Sequence, residues 1–360
     1  MARIVYGVSG EGSGHSSRAR VVLTHLLERG HQVKVASYDR GLRNLSADFD
    51  VIEVEGLHIA TEDNRVSKVE TFVENLKRLP EGMQRLRVLR REAFEEFEPD
   101  VVFTDFEPLS AYLAMHHDLP LVTIDNQHRM RYMRCPRPEH LKAEARITET
   151  VIRAIAPRPD VSLITTFWFG EVLNQRSFLF GPILRREVLA LEPGDGEHVL
   201  VYLTKGFDAF LDLLRALPAE RFLVYGSGRE GEDGNLAFRP FSREGFLQDL
   251  AGARAVVSTA GFTLLTEALH LGKPFLALPM RGQFEQELNA LMLEDSGCGR
   301  NGREATRDSV AAFLYDLPRY RAALERYPRG DNSALLAKVD ELLADGCAVA
   351  REYHARRRSE

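Results

Sequence analysis

The sequence predicts an α/β protein of two Rossmann-like domains facing a cleft, and three observations predict it. Short apolar runs alternate with longer amphipathic stretches through both halves of the 360-residue chain. Two glycine-marked turns, one near each end, each follow an apolar run and open an amphipathic segment. Between the halves, Phe180-Gly-Pro-Ile and Leu191-Glu-Pro-Gly-Asp-Gly-Glu-His198 gather glycine, proline and acidic residues without apolar periodicity, the composition of a linker. Unbroken apolar runs mark strands buried on both faces. Their alternation with helices gives parallel, doubly wound sheets.

The elements follow in order. In the first half, β-branched and aromatic runs predict strands at 3–6, 32–36, 51–54, 101–104, 121–124 and 161–165. Helical periodicity between them predicts helices at 16–29, 67–77, 82–97, 109–116 and 138–156. After the linker the alternation restarts, with strands at 199–203, 222–225, 236–239, 255–257 and 275–278. Helices are expected at 209–216, 244–250, 263–271 and 284–294, and the tail from 307 to 357 reads as entirely helical. The expected domains are 1–185, 196–343, and a C-terminal helix 344–360 that packs back on the first domain.

Composition bounds the function. The chain is 44% hydrophobic and 28% charged, the balance of a soluble globular protein. A net charge of −6 argues against a broad nucleic-acid surface. No window is long and apolar enough for a membrane span, and residues 1–7 enter a strand without a signal-peptide core. The three cysteines, Cys135, Cys298 and Cys347, are scattered and odd in number, which spells neither a disulfide framework nor a zinc site. A cytoplasmic protein is expected.

The turn nearer the C-terminus carries the tighter spacing. Thr259, Ala260, Gly261, Phe262 and Thr263 lie between a strand end and a helix start, where amides lack intrahelical partners and the helix dipole favours an anion. Glu267, one turn on, is placed to accept hydrogen bonds from ribose hydroxyls, with a helix-surface residue as the plain alternative. Glu285 and Gln286 open the next helix and can meet sugar hydroxyls. The string Ala-Gly-Phe-Thr, Glu267-Ala, Gly272-Lys-Pro, Pro279, Glu285-Gln and Asn289-Ala resembles the donor region of GT-B nucleotide-sugar glycosyltransferases, especially MurG-like and UDP-glucuronosyltransferase-like enzymes. The resemblance covers residues 199–300 well and reaches the first half through its His-containing turn. It implies that Thr204 and Lys205 face the phosphates and that backbone near Phe241 meets the base. Many relatives carry His or Arg where Thr259 stands, so phosphate binding here must lean on amides and hydroxyls.

The N-terminal turn, Gly7-Val-Ser-Gly-Glu-Gly-Ser-Gly14-His15-Ser-Ser-Arg18, fails the dinucleotide spacing Gly-x-Gly-x-x-Gly. Gly10, Gly12 and Gly14 fall on alternate residues and read as a flexible loop, with Gly14 on the donor side. His15 stands at the helix start, where the dipole disfavours imidazolium and leaves a neutral ring able to accept a proton. Asp105, just past a buried strand, matches the position from which glucuronosyltransferase-type relatives orient their His. Its alternative is an N-cap for the helix after Pro108. Asp125 and Asn126, past the next strand with Gln127 and His128, are assigned to acceptor binding or to holding the site. Arg18 reads equally as a phosphate or carboxylate ligand and as a solvated side chain. Basic residues interleaved with apolar ones, at 77–91 and 129–137, allow a peripheral contact with anionic lipid but read first as solvated faces.

Together these predict an inverting, metal-independent glycosyltransferase with His15 and Asp105 as its catalytic pair. No cofactor is expected, because the nucleoside diphosphate sugar, expected to be UDP-linked, is a substrate. The acceptor could be a small molecule, glycan or lipid. The nearest alternative is a nucleotide-sugar hydrolase, since Gly-x-Gly-His-x-x-Arg also resembles the turn of PseG-type enzymes. A non-catalytic nucleotide-sugar-binding protein is the other.

Overall fold

The computed structural model describes residues 1–56, 61–62, 65–66, 79–136, 138–203 and 207–359. The expected helix at 67–77 and the loop residues Thr204 and Lys205 lie outside them. The chain forms two compact units, the first comprising Met1–Ala60, Val66–Arg185 and Gly330–Glu360, the second Thr61–Arg65 and Arg186–Arg329.

In the first unit, seven strands form one sheet: β1 (Arg3–Val8), β2 (Gln32–Ser37), β3 (Val51–Glu53), β4 (Val101–Asp105), β5 (Leu121–Asp125), β6 (Val161–Thr165) and β7 (Ser177–Phe180). Their order is β3-β2-β1-β4-β5-β6-β7, and every pairing is parallel. The order reverses between β1 and β4; Asp105 ends β4, and His15 opens the helix that follows β1. On one face Ile4, Tyr6 and Val8 pack with Ala19, Val22 and Leu23 of the helix Gly14–Glu28. Val5 and Val102 face the other way, toward Ala111 and Leu113 of the helix Pro108–His116. Burial on both faces is why these strands read as solid apolar runs rather than alternating ones.

The tail corrects two expectations. It is not entirely helical, because Arg307–Tyr315 and Leu317–Leu324 are followed by a break before Ser333–Ser359. Even that last helix leaves helical geometry at Ala344–Cys347, three of whose residues have positive φ. The expected boundary at 343 also moves: Gly330 onward belongs to the first unit. Leu335, Val339 and Leu342 are buried in the β1 core, and Asn332 exchanges two 2.8 Å hydrogen bonds with the backbone of Leu184.

The second unit repeats the plan. Its strands are β8 (His198–Tyr202), β9 (Arg221–Tyr225), β10 (Gly231–Asp233), β11 (Leu236–Phe238), β12 (Ala255–Ser258), β13 (Phe275–Ala277) and β14 (Gly299–Asn301). The order is β10-β11-β9-β8-β12-β13-β14, parallel except for the β10–β11 edge pair. Here the reversal falls between β8 and β12, and the turn after β12 is Thr259-Ala260-Gly261. Lys273, of the Gly-Lys-Pro turn before β13, is buried and donates from Nζ to the Gly194 carbonyl, pinning the linker. Burial lowers its pKa to about 8.

Candidate functional site

In the first unit the strands place their loops and the glycines admit close neighbours. A Cβ on Gly7 would fall 1.9 Å from Ser110 Oγ and 2.8 Å from Glu107 Oε2, so only glycine lets the Pro108–His116 helix approach β1. A Cβ on Gly10 would strike the Tyr38 carbonyl oxygen at 2.2 Å. The Ser9 amide donates to the Asp105 carbonyl at 3.0 Å, stitching the two loops together.

His15, the second residue of its helix, is 9% exposed, and its Nδ1 lies 2.8 Å from Oδ1 of the fully buried Asp105. The expected pair is therefore formed. Its alternative is not, because Glu107 caps the helix instead, accepting from the Leu109 and Ser110 amides at 2.8 Å each. Burial raises the Glu107 pKa against those hydrogen bonds. Phe106, directly after Asp105, has φ of 60° and stacks on His15 with centroids 6.3 Å apart. A bulky residue in the left-handed region is strained, and such strain persists only where its surroundings enforce it.

Of its expected readings, Arg18 is a carboxylate ligand and not a solvated side chain. It is 6% exposed, and it donates from Nε to Asp105 Oδ2 at 2.6 Å and from Nη2 to Oδ1 at 2.5 Å. Nη1 donates to Asn126 Oδ1 at 2.8 Å. The Asp105 carboxylate is thus shared between a guanidinium fork and an imidazole.

Asp125 and Asn126, the expected acceptor-side residues, are both buried. Asp125 accepts from the His128 amide at 2.8 Å and pairs with its Nδ1 at 2.7 Å. Burial alone would raise the Asp125 pKa, but the charge and hydrogen bonds of His128 outweigh it and leave the carboxyl below its usual value. Both Asp125 oxygens are thus engaged by His128.

In the second unit the helix Phe262–His270 begins at Gly261 with no side chain capping its N-terminus. The turn before it is fixed from beneath: buried Asn289 donates from Nδ2 to the Ala260 carbonyl at 2.7 Å. That contact gives the Asn-Ala pair of the sequence string its physical reason. Thr259, Gly261 and Thr263 are half-buried, whereas Glu267 is 2% exposed and so is not a helix-surface residue. Glu285 lies at the start of Phe284–Asp295. Gln286 turns back on its own loop, accepting from the Met280 amide at 3.0 Å and donating to Gln283 Oε1 at 2.5 Å. Phe241, after β11, is 67% exposed and lies 6.0 Å from the Phe246 ring, which Tyr202 and Tyr225 support edge-on. Among the described residues no three His, Cys, Asp or Glu side chains gather as a metal site would.

Sequence reasoning named Arg18 without its partner and missed Phe106 altogether. Arg18 was visible at i+3 from His15 on one helix face, but its carboxylate partner lies far along the chain. Phe106 has no glycine or asparagine to signal its positive φ.

Two units of mostly parallel sheet, each with a charged or uncapped turn where the strand order reverses, have the plan of the GT-B fold. The chain belongs to glycosyl transferase family 1, whose model matches residues 2–318. It is 26% identical to an uncharacterized glycosyltransferase of Methanosarcina acetivorans, over 83% of this chain and 85% of that one. A second, from Methanosarcina mazei, is 25% identical over 91% and 93%. Among solved structures, the calicheamicin glycosyltransferase CalG4 superposes with a TM-score of 0.65 at 16% identity, covering 96% of this chain and 99% of that one. Arabidopsis thaliana UGT89C1 complexed with UDP-L-rhamnose gives 0.62 at 16% identity, covering 99% of each. The chain is accordingly a glycosyltransferase. Among the described residues no helix is long and apolar enough to cross a membrane.

Proposed function

We propose that this glycosyltransferase moves a hexosyl group from a UDP-sugar to an acceptor hydroxyl, with inversion at the anomeric carbon and without a metal ion. The observation that carries the reading is the His15–Asp105 pair, 2.8 Å apart at the strand-order reversal of the first unit. With Nδ1 turned to Asp105, Nε2 accepts the acceptor proton as the acceptor oxygen bonds to the anomeric carbon. The bond from that carbon to the diphosphate breaks, and its electron pair leaves with UDP. General-base catalysis of this kind is worth about 10²–10⁴ in rate.

The second unit answers the charge of the departing diphosphate with the backbone turn Thr259–Gly261 and the uncapped start of Phe262–His270. Glu267 takes the ribose, Phe241 the base and Glu285 the sugar hydroxyls, while Gln286 shapes the loop beside them. Asp125 and Asn126 hold the first-unit site from behind. A UDP donor is supported by the UDP-L-rhamnose bound in the Arabidopsis thaliana structure.

The test is a thermal-shift panel of UDP-, TDP- and GDP-sugars, followed by proton NMR of the product formed with a stabilising donor in EDTA. A UDP-sugar should stabilise the protein, and the product anomer should be opposite to the donor's. Full-rate release of free sugar without any acceptor would make it a hydrolase. Tight binding with no turnover against a broad acceptor panel would make it a binding protein.

A further inference from the structure

We infer that Arg18 is a positioning residue that decides which nitrogen of His15 carries the proton, an inference that rests on the reading of His15 as the base. Three buried atoms set the question. Arg18 Nη2 is 2.5 Å from Asp105 Oδ1 and 2.7 Å from His15 Nδ1, and Oδ1 is 2.8 Å from Nδ1. They form a nearly equilateral triangle, so the two partners of Nη2 subtend about 60°, whereas its two N–H bonds diverge by about 120° in the planar guanidinium. One proton of Nη2 can point at this pair, and only one. The other edge faces Gln127 Oε1 at 3.4 Å.

Which partner takes that proton is settled by the rest of the fork. Nε already donates to Asp105 Oδ2 at 2.6 Å, and a bidentate Arg–carboxylate pair aims the parallel Nη2 proton at Oδ1. His15 Nδ1 therefore receives no proton from Arg18. A bare Nδ1 would set its lone pair against a carboxylate oxygen, while a protonated one donates to it. The arrangement fixes the Nδ1–H form, leaving Nε2 bare. The fork cannot swing away, because Nη1 is held by Asn126 Oδ1 at 2.8 Å from the end of β5. The Phe106 ring, stacked on the imidazole, limits the remaining rotation.

The experiment is long-range proton–nitrogen NMR of the full chain labelled with [15N]histidine, at mildly alkaline pH, with a His15→Asn variant assigning the His15 signals. Wild type should show a protonated Nδ1 and a bare Nε2. Arg18→Lys, which keeps the charge but loses the planar fork, should show a mixture of the two forms, and Arg18→Met a larger shift. Asn126→Leu should move the signals in the same direction by less. UDP affinity should stay within about twofold in each, since these residues lie outside the proposed nucleotide site. A wild-type ring protonated on Nε2 would overturn the inference, as would an unchanged Nδ1–H signature in Arg18→Lys. Should Arg18→Met fail to fold, Arg18→Lys and Asn126→Leu decide the matter. Turnover surviving in His15→Ala would remove the base reading but leave the spectrum to judge Arg18 by itself.

Discussion

The two strand-order reversals of this molecule are built from different materials. In the first unit the loops are filled with side chains: His15, Arg18, Asp105 and Asn126 are all 9% exposed or less and bonded to one another. In the second, the corresponding turn offers backbone, with a helix left uncapped and its carbonyl at Ala260 held by Asn289. On the proposed reading, the difference is a division of labour. Moving a proton demands one atom held in one protonation state, which only a buried network of side chains can secure. Holding a diphosphate demands several donors at once, and helix amides supply them without titrating.

The largest effect should come from breaking the side-chain end. His15→Ala is expected to lower turnover by about 10²–10⁴ while leaving the melting temperature within a few degrees, checked by initial rates and calorimetry. Next is a change that fills the backbone end. Gly261 has negative φ as the helix N-cap, and a Cβ there would meet nothing within 4 Å. Gly261→Asp should therefore cap the helix, gain a few tenths of a kcal/mol in urea unfolding, and weaken UDP binding at least about tenfold by occupying the amides with a rival carboxylate. A variant that is more stable yet binds worse would be hard to explain any other way.

A smaller effect is expected from the support beneath that turn. Asn289→Ala leaves the Ala260 carbonyl without this partner and should cost about 1–3 kcal/mol in unfolding, with a several-fold loss of UDP affinity. The smallest effects are in pH dependence and separate two buried carboxylates of the first unit. Asp125 has its pKa held below 3.8, so its stabilisation is complete above that value and is lost as pH falls through the folded pKa. Glu107 has its pKa raised above 4.5, so wild type should give up stability as pH rises through the folded value. Unfolding across pH should show Asp125→Asn losing the acid limb, and Glu107→Gln gaining on wild type as pH rises.

Much of this was legible in the residues. Strands buried on both faces announce themselves as apolar runs, so the central strands of both sheets were readable, as was the His15–Asp105 pair from its place at two strand ends. Of the edge strands, Val51–Glu53 was readable and the others were not. Gly231–Asp233 and Gly299–Asn301 are glycine and polar residues that pair on one side only and need no apolar run. The tail was misread because Leu335, Val339 and Leu342 repeat with helical spacing that does not say which core they enter; only the β1 contacts do. Arg18 shows the deeper limit. A sequence displays that an arginine shares a face with a histidine, but not which distant carboxylate neutralises it, and that choice sets the chemistry.

The division of labour is tested most directly by isothermal titration of UDP into wild type, His15→Ala and Gly261→Asp side by side. Equal affinity for wild type and His15→Ala, with clear weakening in Gly261→Asp, is the predicted result. Lost UDP binding in His15→Ala with undiminished binding in Gly261→Asp would contradict it.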